Sequence, residues 1–221
     1  MNPRHLITVV GTFLLAFCFT ACSETDDKVE EYPNWKSKND AYFVAKYNTV
    51  KQAIQSGDTS WKMFKTYAKD QSKEGEPGDY ILVKVIENGT GSGCPLFTDT
   101  VRVHLNGQLL ASTSYVDSSD SELGLVFSTS WSGDVFDKNT FVPSKFGVAA
   151  LVDGFATALQ HMHIGDRWKV YIPYQLAYKD ENNGVIPPYS TVVFDIMLVA
   201  YYRPGQLVPN WASENWMLWE E

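Results

Sequence analysis

The stretch Leu151-Val152-Asp153-Gly154-Phe155-Ala156-Thr157-Ala158-Leu159-Gln160-His161-Met162-His163-Ile164-Gly165-Asp166-Arg167-Trp168-Lys169-Val170-Tyr171-Ile172-Pro173 changes its apolar period half-way along. Phe155, Ala158, Leu159 and Met162 recur at helical spacing, so Gly154 to Met162 reads as a short helix with one buried side. Gly165 follows, a residue suited to the left-handed turn on which helices end. Trp168, Val170 and Ile172 then recur at every second position, the signature of a half-buried strand.

The same period governs the flanks. Tyr80 to Ile86 alternates, with apolar residues on both sides for much of its length, and Val101, Val103 and Leu105 form a strand that Gly107 is expected to end. Val192, Phe194, Ile196 and Leu198 make a last long strand. Several strands and one short helix predict an α+β fold, a twisted antiparallel sheet wrapped around that helix. Upstream, Phe43, Tyr47, Val50 and Ile54 mark a helix capped by Asn39 or Asp40 and ended by Gly57. Thr59 is suited to cap a second helix carrying Trp61, Phe64 and Ala68, so residues 39–76 are expected to form a small helical hairpin ahead of a main domain at 79–203.

A length of 221 residues excludes a large multidomain enzyme. With 18 basic and 26 acidic residues the net charge is −8, which argues against nucleic acid as a partner. Four His and three Cys are a poor basis for a metal site, and neither a metal nor a cofactor is expected. At the N-terminus, Leu6 to Thr20 is too short to span a bilayer comfortably and reads as the core of a secretory signal. Ala21-Cys22 at its end resembles a bacterial lipobox, in which the cysteine is lipidated and becomes the first residue. The resulting expectation is a signal peptide at 1–21, an acidic tether at 22–38, and anchorage through Cys22 to the cell envelope, at the outer membrane. Cys94 is then left as a free thiol.

Residues 99–202 resemble the FKBP-type peptidyl-prolyl isomerases. Val101 to Gly107 is similar to a family strand ending V-x-Y-x-G, Val135-Phe136-Asp137 to its V-F-D, and Leu151 to Phe155 to its V-I-P-G-W. Leu159 to Arg167 is similar to L-Q-x-M-x-x-G-x-K, and Ile172-Pro173 with Leu176-Ala177-Tyr178 to I-P-x-x-L-A-Y. Gly184 to Pro188 and Val192 to Ile196 complete the order. The resemblance implies an isomerase acting on proline-containing polypeptides and assisting the folding of envelope or secreted proteins, or alternatively a non-catalytic module that binds polypeptide in the same groove. It implies pocket walls at Phe136, Val152, Phe194 and Ile186, a floor at Phe155, and Leu151 and Leu105 beside them. Val152 would offer its backbone N–H to the substrate carbonyl, Tyr178 its hydroxyl, and Asp137 a carboxylate at the rim.

Departures from the family pattern are Leu105 for Tyr, Phe155 for Trp, Ser144 for another pocket aromatic, and Lys179 for Gly. Residues 111–133 are an insertion, expected as a loop or hairpin near the pocket mouth. The H-x-H spacing of His161 and His163 is expected to be surface decoration at an exposed helix end rather than a metal site. The Trp-rich tail at 204–221 is expected either to dock on the helical hairpin or to form a partner-binding patch, and the protein is expected to be a monomer.

Overall fold

A computed structural model describes residues 29–133 and 135–211. The signal peptide, Cys22, most of the tether and the tail beyond Trp211 lie outside the described residues. The chain runs α1 (Trp35–Gln55), β1 (Trp61–Lys65), β2 (Tyr80–Glu87), β3 (Thr100–Leu110), β4 (Leu123–Thr129), β5 (Ser144–Gly147), α2 (Asp153–Leu159), β6 (Arg167–Ile172) and β7 (Val192–Tyr202). The strands form one seven-stranded antiparallel sheet in the order β1-β2-β6-β7-β3-β4, with β5 paired to β3. The expected α+β class, an antiparallel sheet over a short helix, is what the chain adopts.

Strand alternation sorts the side chains onto two faces. One face carries Val83, Val170, Phe194 and Gly107, which lie in register across β2, β6, β7 and β3, and α2 packs on it. Gly154 in α2 is required by that contact. A Cβ there would lie 2.2 Å from Ile172 Cγ2. The opposite face carries Lys169 and Asp195, with Arg167 making a two-pronged ion pair to Asp195 at 2.9 and 2.7 Å. Helix α1 covers this second face near β2 and β6, where Tyr47 meets Tyr80 at 5.8 Å and Lys46 lies 5.2 Å from the Tyr171 ring.

The helical hairpin does not form. Helix α1 begins at Trp35, four residues before the expected cap, because Trp35 is itself buried and draws the first turn into the core. Asn39 is therefore an interior residue rather than a cap. The segment with the second helical pattern is strand β1, paired with β2 from Trp61↔Lys84 to Lys65↔Tyr80. Trp61 and Phe64 fit either period, and the unpaired edge of β2 decides between them by offering backbone hydrogen bonds. Trp61 reaches Tyr171 on one face of the sheet and Phe64 reaches Trp168 on the other. Gly107 does not end β3, which continues to Leu110 because β4 and β7 pair on both sides of it.

Residues 111–122 also lie elsewhere than expected. Asp120 bonds Lys169 at 2.6 Å, and Glu122 bonds Lys46 at 2.6 Å and Tyr42 at 3.0 Å, so the segment folds onto the α1 side of the sheet. There it also holds the incoming chain, since the Thr113 N–H donates to Glu31 O at 3.1 Å and Ser112 bonds the Glu31 carboxylate. Of the two histidines expected at the surface, His163 is exposed, whereas His161 is half-buried and its ring stacks with Phe64 at 4.0 Å and Tyr67 at 5.3 Å.

One buried and one half-buried histidine make stability depend on pH. Burial pushes His104 down to about 4 from its ordinary 6.5, and His161 is lowered by burial and by Lys62. Between about pH 6.5 and 4 the unfolded chain takes up protons that the folded chain refuses, so stability falls as pH drops through that window. A His104→Gln variant is expected to lose less stability than the wild type between pH 7 and 4.5 in urea denaturation. Equal losses would show that His104 is not the group responsible.

Candidate active site

On the α2 face, four aromatic rings converge. Phe194 of β7 meets Phe155 of α2 edge-to-face at 4.9 Å and Phe127 of β4 edge-to-face at 5.4 Å. Phe127 in turn meets Tyr178 at 6.4 Å and 90°. Edge-to-face packing places ring hydrogens against π faces and fixes each plane relative to the next. Phe155 and Phe194 are buried, forming a base, whereas Phe127 and Tyr178 are half-buried and reach the surface. Leu105 and Ile186 are buried, and Leu151 and Val152, before the first turn of α2, are half-buried. Val152 is the residue preceding the helix, in extended conformation at φ −60° and ψ 149°.

Phe127 arrives there through a bulge. Gly107 pairs with Ser128 but Gln108 pairs with Val126, so Phe127 is the extra residue on β4. A bulge re-aims a side chain that strict alternation would point the other way. Gly107 completes the arrangement, because a Cβ there would lie 2.5 Å from Phe194 Cε1 and 2.8 Å from Phe127 Cζ.

The expected wall Phe136 and rim Asp137 are not part of this cluster. Phe136 lies 4.6 Å from Trp131, 5.1 Å from His104 and 4.5 Å from the Arg167 guanidinium. His104 and Arg167 belong to the opposite face of the sheet, so Phe136 is separated from Phe194 by the sheet itself. Asp137 is exposed and serves its own turn, accepting the Asn139 N–H at 2.9 Å and the Thr140 hydroxyl at 2.8 Å. Those bonds hold its carboxyl below the usual range. The chain segment that takes the V-F-D place is Val126-Phe127-Ser128. Phe127, missed from the sequence, thus stands in the cluster where Phe136 was expected, and a serine stands where the pattern has its aspartate.

The remaining expected residues, Leu105, Leu151, Val152, Phe155, Tyr178, Ile186 and Phe194, are on the α2 face or in the loops bordering it. Burial raises the Tyr178 phenol above its ordinary value of 10.0, so it is a protonated donor at neutral pH. Lys179 adopts φ 58°, the left-handed conformation for which the family pattern supplies Gly. Ser144, in β5, pairs with Val103. The site is apolar and aromatic with few polar groups, which suits recognition of an uncharged amide rather than transfer of protons or electrons.

Residues 95–199 match the family model described as FKBP-type peptidyl-prolyl cis-trans isomerase. The chain is 34% identical over 127 residues to a macrophage infectivity potentiator of Trypanosoma cruzi, covering 57% of this chain and 55% of that one. It is 28% identical over 169 residues to the outer membrane protein MIP of Legionella longbeachae, covering 71% of this chain and 63% of that one. The chain thus spans little more than half the length of the curated relatives it matches. The crystal structure of FkpA from Escherichia coli superposes with a TM-score of 0.50 at 23% identity, covering 76% of this chain and 61% of that one, a likeness of fold alone.

Proposed function

We propose, on the premise that residues 95–199 belong to the FKBP-type peptidyl-prolyl cis-trans isomerase family, that this protein isomerises prolyl bonds in polypeptides of the cell envelope. The observation that carries the reading is the convergence of Phe127, Phe155, Phe194 and Tyr178 on the α2 face, within the matched segment. An X–Pro bond turns slowly because amide resonance sets a barrier of ~18–20 kcal/mol. Twisting the bond removes the resonance and weakens the carbonyl dipole, so the twisted amide sits better in an apolar pocket than the planar one. Binding that favours the twisted state lowers the barrier without a nucleophile or a metal. The proline ring would rest on Phe155 and Phe194, between Phe127 and Ile186. The Val152 N–H and the Tyr178 hydroxyl would hold carbonyls of the substrate chain.

A non-catalytic polypeptide-binding module is the second reading, favoured by Ser128 and Leu105 standing in place of a family Asp and Tyr. An isomerisation assay on a prolyl peptide decides between them. Acceleration well above that of a Tyr178→Phe variant supports the enzyme, and a rate no higher than the variant's leaves the binding module. For location we take Cys22 as the lipid anchor of an envelope protein, at the outer membrane, a reading supported by the lipobox-like Ala21-Cys22 and by the name of the Legionella relative. Mass spectrometry of the membrane-extracted chain, with a diacylglyceryl group on Cys22 or without it, tests that assignment.

A further inference from the structure

The loop that carries Ile186 is held from outside the matched segment. Asn39 of α1 is fully buried and uses both ends of its carboxamide. Its Nδ2 donates to Trp35 O at 2.8 Å, and its Oδ1 accepts the Thr191 N–H at 2.7 Å. One turn earlier, the Trp35 indole N–H donates to Ser190 Oγ at 2.8 Å, and the Ser190 hydroxyl donates onward to Pro187 O at 2.7 Å. Trp35, Ser190 and Thr191 are all buried, so water does not compete for these bonds.

Ahead of these ties the backbone is strained. Tyr189 has φ 64° and bonds through its N–H to Lys179 O at 2.7 Å, while Lys179 has φ 58° and donates its N–H to Tyr174 O at 2.9 Å. A left-handed conformation costs a residue with a Cβ ~1–2 kcal/mol, and it persists only where the surroundings over-determine it. Apolar contacts alone could dock α1 on the sheet. A buried amide and an indole N–H aimed at one loop do something contacts cannot, which is to specify where its backbone lies.

We propose that α1 is a positioning element of the prolyl groove, with Trp35 and Asn39 fixing the backbone of residues 186–191 and so the Ile186 wall. The inference rests on the isomerase reading above. Its test compares wild type, Trp35→Phe, Ser190→Ala, their double variant, and Val50→Ala, which truncates a buried α1 residue that bonds no part of the loop. Each is measured for KM and kcat on a prolyl peptide, for Tm, and for amide hydrogen exchange across residues 183–191. Trp35→Phe and Ser190→Ala are expected to raise KM about fivefold, the worth of one buried hydrogen bond, with kcat nearly unchanged and faster exchange at the Ile186 N–H. The double variant should be no worse than Ser190→Ala alone, which already removes the hydroxyl that both bonds of the relay share. Val50→Ala should lower Tm without moving KM. Unchanged KM in an active Trp35→Phe protein overturns the positioning role, as does an equal rise in KM for Val50→Ala. A wild type with no isomerase activity instead overturns the preceding reading and this one with it, an outcome visible before any variant is made.

Discussion

A Phe127→Ala variant is expected to lose about ten- to a hundredfold in kcat/KM on a prolyl peptide, while Phe136→Ala stays within about twofold of wild type. The asymmetry follows from which face of the sheet each ring occupies. Phe127 touches Phe194 and Tyr178, so its removal opens the wall against which an apolar substrate would be desolvated. Phe136 instead covers His104 and lies on the Arg167 guanidinium, so its loss should lower Tm without reaching the groove. Asp137→Ala should likewise leave kcat/KM unchanged, because its oxygens serve the turn at Asn139 and Thr140. Steady-state kinetics on the three variants decides the matter. Loss of activity from Phe136→Ala or Asp137→Ala, with Phe127→Ala unaffected, would return the site to residues 136 and 137.

The contrast between Phe127 and Phe136 shows what could be read from the sequence. Periodicity placed the helix at 154–162 and the strands around it, because burial on one side leaves a repeating trace in residue type. The family resemblance brought Phe155, Tyr178 and Phe194 to one region, since each stands inside a long ordered motif. The wall residue escaped because a three-letter identity, Val135-Phe136-Asp137, outweighed a two-letter one at Val126-Phe127. What separates them is pairing: of the two segments, only that of Phe127 pairs with β3 beside Gly107, and a bulge turns Phe127 inward. Neither is written in residue type, although the apolar residues of Leu123 to Phe127 are a strand signal inside the insertion. The same limit explains β1. A five-residue segment with Trp61 and Phe64 has no period of its own strong enough to resist the free edge of β2. The role of Asn39 was hidden for a related reason, since an Asn near a helix start is ordinarily a cap, and only the tertiary partner Thr191 makes it an interior tie.

Gly107→Ala is expected to damage stability and site together. Its new methyl would stand 2.5 Å from Phe194 Cε1 and 2.8 Å from Phe127 Cζ, well inside contact distance. Phe194 cannot yield easily, being 4% exposed and set edge-on between Phe155 and Phe127. Overpacking of this kind costs ~1–3 kcal/mol, which for a chain of this size lowers Tm by about 3–10 °C. Relief would come mainly by tilting Phe127 outward, so kcat/KM should fall alongside Tm. A double-mutant cycle isolates that cause. In a Phe127→Ala background one of the two clashes is gone, and Gly107→Ala should cost about 1 kcal/mol less there than in wild type. Strict additivity of the two substitutions in Tm and in kcat/KM would mean that Gly107 and Phe127 do not share the space, and that the bulge of β4 does not build the wall of the groove.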